Sequence, residues 1–205
     1  AIILTHAHID HSGYIPRLVK EGFTGKIFCT PPTFALCRIL LPDTGHLQEE
    51  EAEYLRRKRF SKHDPPLPLF TKDEAVRSLE QFSPIPFGQT FQVGGEFKVQ
   101  FRYVGHILGA ASVIVTVGKS TIAFSGDVGR LNDPIFNDPE PLPNVDYLVI
   151  ESTYGNRVHP QSDPKADLGT IINETIKNKG VILIPAFTVG RVQTLMHFLA
   201  ELQKE

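Results

Sequence analysis

Four side chains able to bind a metal ion fall within six residues near the start of this chain, in His6-Ala7-His8-Ile9-Asp10-His11. Such a cluster demands a rigid frame, and the flanking residues supply one. Ile2 to Thr5 reads as a buried strand, and Ser12-Gly13 leads into a helix. On extended backbone His6 and His8 point the same way, because strand side chains alternate. Asp10 and His11 lie past the turn and point to a second position nearby. Imidazole suits zinc, and a carboxylate can share or bridge it. One segment cannot fill two coordination spheres, so further ligands must come from afar. His106 follows a strand in Val104-Gly105-His106-Ile107-Leu108-Gly109, and Asp127 follows another in Ser125-Gly126-Asp127-Val128-Gly129. Glycines beside both allow backbone to crowd near a site. Alone, His106 reads as a core histidine and Asp127 as a turn aspartate. With the first cluster they read as ligands.

The rest of the chain predicts an α/β fold. Short apolar strands alternate with amphipathic helices, and hairpins fill the middle. Tyr14 to Glu21 suits a helix stopped by Gly22, and Lys26 to Cys29 a strand. Thr30-Pro31-Pro32 caps a helix bearing Phe34, Cys37, Leu40 and Leu41. Thr71 to Glu74 matches a capping box. Phe91 to Val93, Phe97 to Val104, Ser112 to Val117 and Thr121 to Ser125 are expected as strands. Val145 to Ile150 and Val181 to Ile184 are expected as mostly buried strands. Helices are expected after Asp163-Pro164 and from Val189 onward. Asn132 to Asn144 reads as a loop, and Asn156 to Pro164 as a domain boundary. Arg56-Arg57-Lys58-Arg59, after Glu49-Glu50-Glu51, reads as a solvated helix with i,i+4 ion pairs.

Composition narrows the classes. A chain of 205 residues with 41% hydrophobic residues can bury a sizeable core. Its net charge of -2 excludes a generic polyanion binder, so any nucleic-acid contact must be local or made through metal ions. No apolar run reaches the roughly 18 residues of a membrane helix. No signal-peptide pattern opens the chain, and two cysteines give no disulfide framework, which favours the cytoplasm. Both ends look cut, as in a fragment.

The ligand motifs, in order, resemble motifs two to four of the metallo-β-lactamase superfamily: His-x-His-x-Asp-His, a strand-end histidine and Ser-Gly-Asp. Val149-Ile150-Glu151-Ser152-Thr153-Tyr154-Gly155 resembles motif A of the β-CASP nucleases. Ile184-Pro185-Ala186-Phe187-Thr188-Val189-Gly190-Arg191 looks like the start of their inserted domain. His106-Ile107-Leu108-Gly109-Ala110 and Glu151-Ser152-Thr153-Tyr154-Gly155 also resemble the bacterial and archaeal relatives of the endonuclease subunit of the mRNA cleavage and polyadenylation factor. The resemblance implies an incomplete αββα sandwich over residues 1–160, with a β-CASP domain beginning over 161–205. It implies two Zn2+ ions and a ribonuclease that hydrolyses RNA with a metal-activated hydroxide. His6, His8 and His106 would hold the first zinc, Asp10 and His11 the second, and Asp127 would bridge. Asp10, Asp127 and Glu151 would be the catalytic carboxylates, with Glu151 orienting a histidine. Motif one and the two histidine motifs beyond the inserted domain are absent, so the fragment is expected to be inactive. The resemblance leaves open a homodimer, a DNA-directed nuclease of the same branch, and a dinuclear hydrolase of thioesters or small esters. Of the other histidines, His46 and His63 are expected at the surface, His197 in a structural role, and His159 in a bland role, with contact to substrate as its alternative.

Overall fold

The computed structural model describes residues 1–158 and 162–204, and His159 lies outside the described residues. Two sheets face each other. The first has the order β1-β2-β3, built from β1 (Ile2–Ile3), β2 (Ile27–Cys29) and β3 (Phe82–Pro84), all parallel. The second has the order β4-β5-β6-β7-β8: Thr90–Val93, Phe97–Tyr103, Ala111–Val117, Ser120–Phe124 and Tyr147–Val149. Its first four strands are antiparallel neighbours, and β8 joins β7 in parallel.

The period-two pattern of the middle strands builds the sheet-to-sheet core. Val99 and Phe101 of β5 are fully buried and pair with Val115 and Val113 of β6. They share a cluster with Phe28 and Ile3 of the first sheet, and Phe91 lies against both Phe28 and Phe101. Burying a side chain the size of Phe101 stabilises the fold by about 1.5–3 kcal/mol. On the other face of the first sheet lie α1 (Ile9–Ser12), α2 (Ile15–Lys20), α3 (Pro31–Lys58) and α4 (Lys72–Ser78). Leu41 and Cys37 of α3, Ile15 of α2 and Ala75 of α4 join Ile27 and Phe82 in that core. The layers run helix, sheet, sheet, three of the four layers of the αββα sandwich that the resemblance implied. Helices α5 (Pro164–Lys177) and α6 (Arg191–Leu202) meet where Gly169 approaches Leu202.

Local signals hold where they are self-contained. Thr71 accepts from the Glu74 amide at 3.2 Å, and Glu74 accepts from the Thr71 amide at 2.8 Å. Asp163 caps α5 by accepting from the Lys165 amide at 2.9 Å. Three expectations need correction. Val181 to Ile184 forms no strand, and Val181 and Leu183 are 85% and 87% exposed. An apolar run becomes a strand only beside another strand that takes its backbone hydrogen bonds, and none among the described residues does. The Val145 to Ile150 run does pair, as β8, yet Tyr147, Leu148, Val149 and Ile150 are all exposed. As the sheet's last strand, β8 has β7 on one side only. The charged segment is helical and exposed as expected, at the end of α3, which runs on through Pro42 for 28 residues. Its expected ion pairs do not form: among the described residues, only His46 and Glu50 pair along that helix, at 3.6 Å. No helix among the described residues is long and apolar enough to cross a membrane.

Candidate metal centre

Of the six sequence-predicted ligand residues, His6, His8, His106 and Asp127 gather in one group, while His11 lies beside Asp127 and Asp10 beside His11. His6 stands just past β1 and is completely buried; His8 is the residue ahead of α1. The turn between them is held by Ser12, whose hydroxyl donates to the Ala7 carbonyl at 2.9 Å, while the Ser12 amide donates to the His8 carbonyl at 2.9 Å. Asp10 and His11 lie inside that short helix and so project to a different position.

The distant ligands arrive on loops that glycines allow to touch. Gly109, at φ +84°, sits so close to α3 that an added Cβ would lie 2.4 Å from the Thr33 nitrogen. Its carbonyl accepts from the Thr30 hydroxyl at 2.6 Å and from the Thr33 hydroxyl at 2.9 Å, which fixes the His106 loop to the start of α3. A Cβ on Gly129 would lie 2.2 Å from the Gly105 carbonyl oxygen, so only glycine lets the His106 and Asp127 loops cross there.

The ligand atoms form a compact set. His6, His8, His106 and Asp127 each offer one atom, all within 4.8 Å of one another. His8 Nδ1 lies 3.2 Å from His6 Nε2 and 3.1 Å from His106 Nε2. Asp127 Oδ2 lies 3.5 Å from both His6 Nε2 and His106 Nε2. Tetrahedral ligands about 2.0–2.1 Å from a zinc ion are themselves about 3.3 Å apart. The donor set therefore fits one divalent ion. Asp127 Oδ1 turns away from that group toward His11 Nε2, at 3.3 Å, and His11 Nε2 is 3.6 Å from Asp10 Oδ2. One carboxylate thus faces the His6 and His106 rings with one oxygen and His11 with the other.

Two histidines have outer partners that free the inner nitrogen. Thr5 Oγ1 lies 3.2 Å from His6 Nδ1, and the Val189 carbonyl oxygen lies 3.4 Å from His8 Nε2. With the outer nitrogen protonated and donating, the inner one keeps its lone pair, which metal binding requires. Burial, reinforced by His11, His106 and His8, pushes the His6 pKa down to about 2. Burial and His8 also lower the His106 pKa, against the opposing pull of Asp127 and Glu151. Both rings are neutral at pH 7, the form a metal ion takes.

Glu151 lies just past β8 on the same side as Asp127. Its carboxylate accepts from the Val128 amide at 2.6 Å, and its own amide donates to the Ser125 hydroxyl at 3.0 Å. It joins the Asp127 loop without entering the ligand set. Sequence reasoning missed Thr5 and Val189 as outer partners. The signal for Thr5 was a hydroxyl immediately before the first histidine; a carbonyl such as Val189's leaves none. His46 and His63 are exposed, and the His197 ring lies against Phe198 on α6.

Two facing sheets, with three histidines and an aspartate gathered on the loops at their ends, define an α/β protein whose side chains could hold a metal ion. The chain belongs to the metallo-β-lactamase superfamily, whose family model matches residues 1–165. Ribonuclease TTHA0252 of Thermus thermophilus is 30% identical over 200 residues, covering 97% of this chain and 42% of the relative. Transcription termination factor FttA of Methanococcus maripaludis is 33% identical over 210 residues, covering 98% of this chain and 31% of the relative. Endoribonuclease ysh1 of Schizosaccharomyces pombe is 32% identical over 203 residues, covering 98% and 25%. These relatives bear out the resemblance to the RNA-processing branch. The chain spans less than half the length of each.

Proposed function

We propose that this chain carries the metal centre of a zinc-dependent ribonuclease of the β-CASP branch. Residues 1–160 would be its metallo-β-lactamase domain and 161–205 the start of the inserted domain. The observation that carries this is the divided carboxylate of Asp127, with Oδ2 on His6 and His106 and Oδ1 on His11. His6, His8 and His106 would hold one zinc ion, Asp10 and His11 a second, and Asp127 both. Bound there, two zinc ions would supply a nucleophile at neutral pH and neutralise the phosphoryl oxygens. The protein's own part is preorganisation. Thr5 and Val189 fix ring tautomers, and the crossed glycine loops hold His106 against Asp127. Glu151, tied to the Asp127 loop, would orient a proton donor for the leaving oxygen, an aid worth roughly a hundredfold to ten-thousandfold. The buried free thiols of Cys29 and Cys37 suit a reducing, cytoplasmic setting.

The test is metal analysis of the purified full-length protein, with cleavage assays on RNA, single-stranded DNA and a thioester. We expect about two zinc ions per chain and cleavage of RNA, with both lost in Asp127→Ala. Thioester hydrolysis with intact RNA would sink the proposal, as would preference for DNA.

A further inference from the structure

The far end of α3 carries five cations that the fold does not use. Arg56, Arg57, Lys58, Arg59 and Lys62 are all exposed, and among the described residues none has an ion pair. Cations near a helix C-terminus are each favoured by about 0.3–1 kcal/mol through the helix dipole. That accounts for one or two of them. Five within seven positions, with no acidic residue among them, repel one another. Phe60 sits inside this group at 78% exposure, although an apolar ring of that size gains by burial. It does not trail freely. Arg59 ends the helix in a left-handed conformation at φ 56°, and the Phe60 amide donates to the Leu55 carbonyl at 3.4 Å. Alongside lies an open groove of about 320 Å³, lined by Leu55, Ser61, His63, Pro65, Pro66 and Leu67.

Cations beside a presented aromatic ring and an apolar groove match what binds single-stranded nucleic acid: phosphates on the charges, bases on the ring. We propose that this end of α3 is a second contact surface for single-stranded RNA, separate from the metal centre. The inference rests on the ribonuclease function proposed above. α3 also sets the distance. Its start is bonded to the His106 loop through Thr30 and Thr33. Its 28 residues at 1.5 Å each put the cations about 40 Å further along the helix axis. A strand stacked at about 3.4 Å per nucleotide needs about 12 nucleotides to reach from one to the other. The surface therefore favours long RNA and is out of reach of short RNA.

The test compares the full-length protein with two variants, one carrying Arg56→Gln, Arg57→Gln, Lys58→Gln and Lys62→Gln together, the other Phe60→Ala. Glutamine keeps the helix propensity of the residues it replaces. Each protein is given RNA of about 5 and about 30 nucleotides, and binding of the longer RNA is followed against salt. For the fourfold variant we expect unchanged cleavage of the short RNA and at least about tenfold weaker binding of the long one. The slope of log K against log salt should flatten by up to about 3, at about 0.7 for each phosphate no longer neutralised. Phe60→Ala should weaken long-RNA binding about fivefold or more, with little change in slope. If the variants bind long RNA like the parent, the surface inference is wrong while the ribonuclease function stands. The surface inference is equally wrong if the cations bind only vesicles of phosphatidylserine. If the parent cleaves neither RNA, the ribonuclease function itself falls.

Discussion

Replacing Thr5 by valine should weaken zinc binding without unfolding the protein. The substitution keeps the shape that Thr5 presents to Gly126, where the approach is too close for a larger group. It removes only the oxygen 3.2 Å from His6 Nδ1. His6 has no solvent exposure, so water cannot replace that oxygen. Two responses are open to the ring. It can keep its Nδ1 proton without a partner, at a cost of about 1–3 kcal/mol. Or it can move the proton to Nε2, where it blocks the lone pair that faces His8 and Asp127. Either way the loss of zinc affinity is about 5–150-fold, since 1.4 kcal/mol is a factor of ten, and outer partners of metal-bound histidines generally matter by about 10–100-fold. Competition with a chromophoric chelator measures the affinity, and nitrogen chemical shifts report the His6 tautomer. Thr5→Ser, which restores the oxygen, should recover most of the binding. If Thr5→Val binds zinc within about twofold of the parent and melts at the same temperature, the outer partner of His6 does not control the site.

Glu151→Gln should leave zinc affinity nearly unchanged, because Glu151 bonds Val128 and not a ligand, while RNA turnover by the full-length protein falls by about a hundredfold or more. Gly109→Ala should destabilise the fold by about 2–5 kcal/mol in urea unfolding, since the new Cβ meets the Thr33 backbone and the left-handed conformation adds strain. Chelation of zinc from a level about 100 times the dissociation constant should cost about 2.7 kcal/mol, and scanning calorimetry should show the melting temperature falling by about 5–11 °C. In metal-free protein, His6 has a folded pKa of about 2 against an ordinary 6.5, so the unfolded chain takes the proton first. Stability should therefore drop as pH falls below about 6.5, and His6→Asn should flatten that dependence in urea titrations at about pH 7 and about pH 5.

Much of the fold could be read because its signals are local. The Thr71 capping box, the Gly22 helix stop and the alternation of Val99 and Phe101 each depend on residues a few positions apart. Val181 to Ile184 fails for the opposite reason. Its composition suits a strand, but a strand exists only through a partner, and sequence does not show whether one is beside it. The length of α3 was hidden in another way. Pro42 and Gly45 are the weakest helix formers of the stretch, yet the helix passes through both. Cys37 and Leu41 before them sit in the core with Phe34 packed against it, Ala52 beyond is also buried, and that burial outweighs a local penalty of about 3 kcal/mol for an interior proline.

The grouping of His6, His8, His106 and Asp127 was legible and its supports were not, and the difference is chemical. Histidine and aspartate next to glycine at strand ends have few other uses in combination, so His6, His8, His106 and Asp127 announce themselves by type. Thr30, Thr33 and Ser125 look like any polar loop residues, and the Val189 carbonyl belongs to a group every residue has. Yet these groups decide which way each ligand points. Thr30 and Thr33 hold the Gly109 carbonyl from below, Ser125 takes the Glu151 amide, and Val189 meets His8 from 181 positions away in the chain. A metal centre therefore has two layers of information. The inner layer is written in residue types and survives as a motif. The outer layer is written in distances between ordinary groups, and only the folded chain displays it. It follows that a chain could keep His-x-His-x-Asp-His intact and still bind zinc weakly, if the segment that brings Val189 to His8 were displaced.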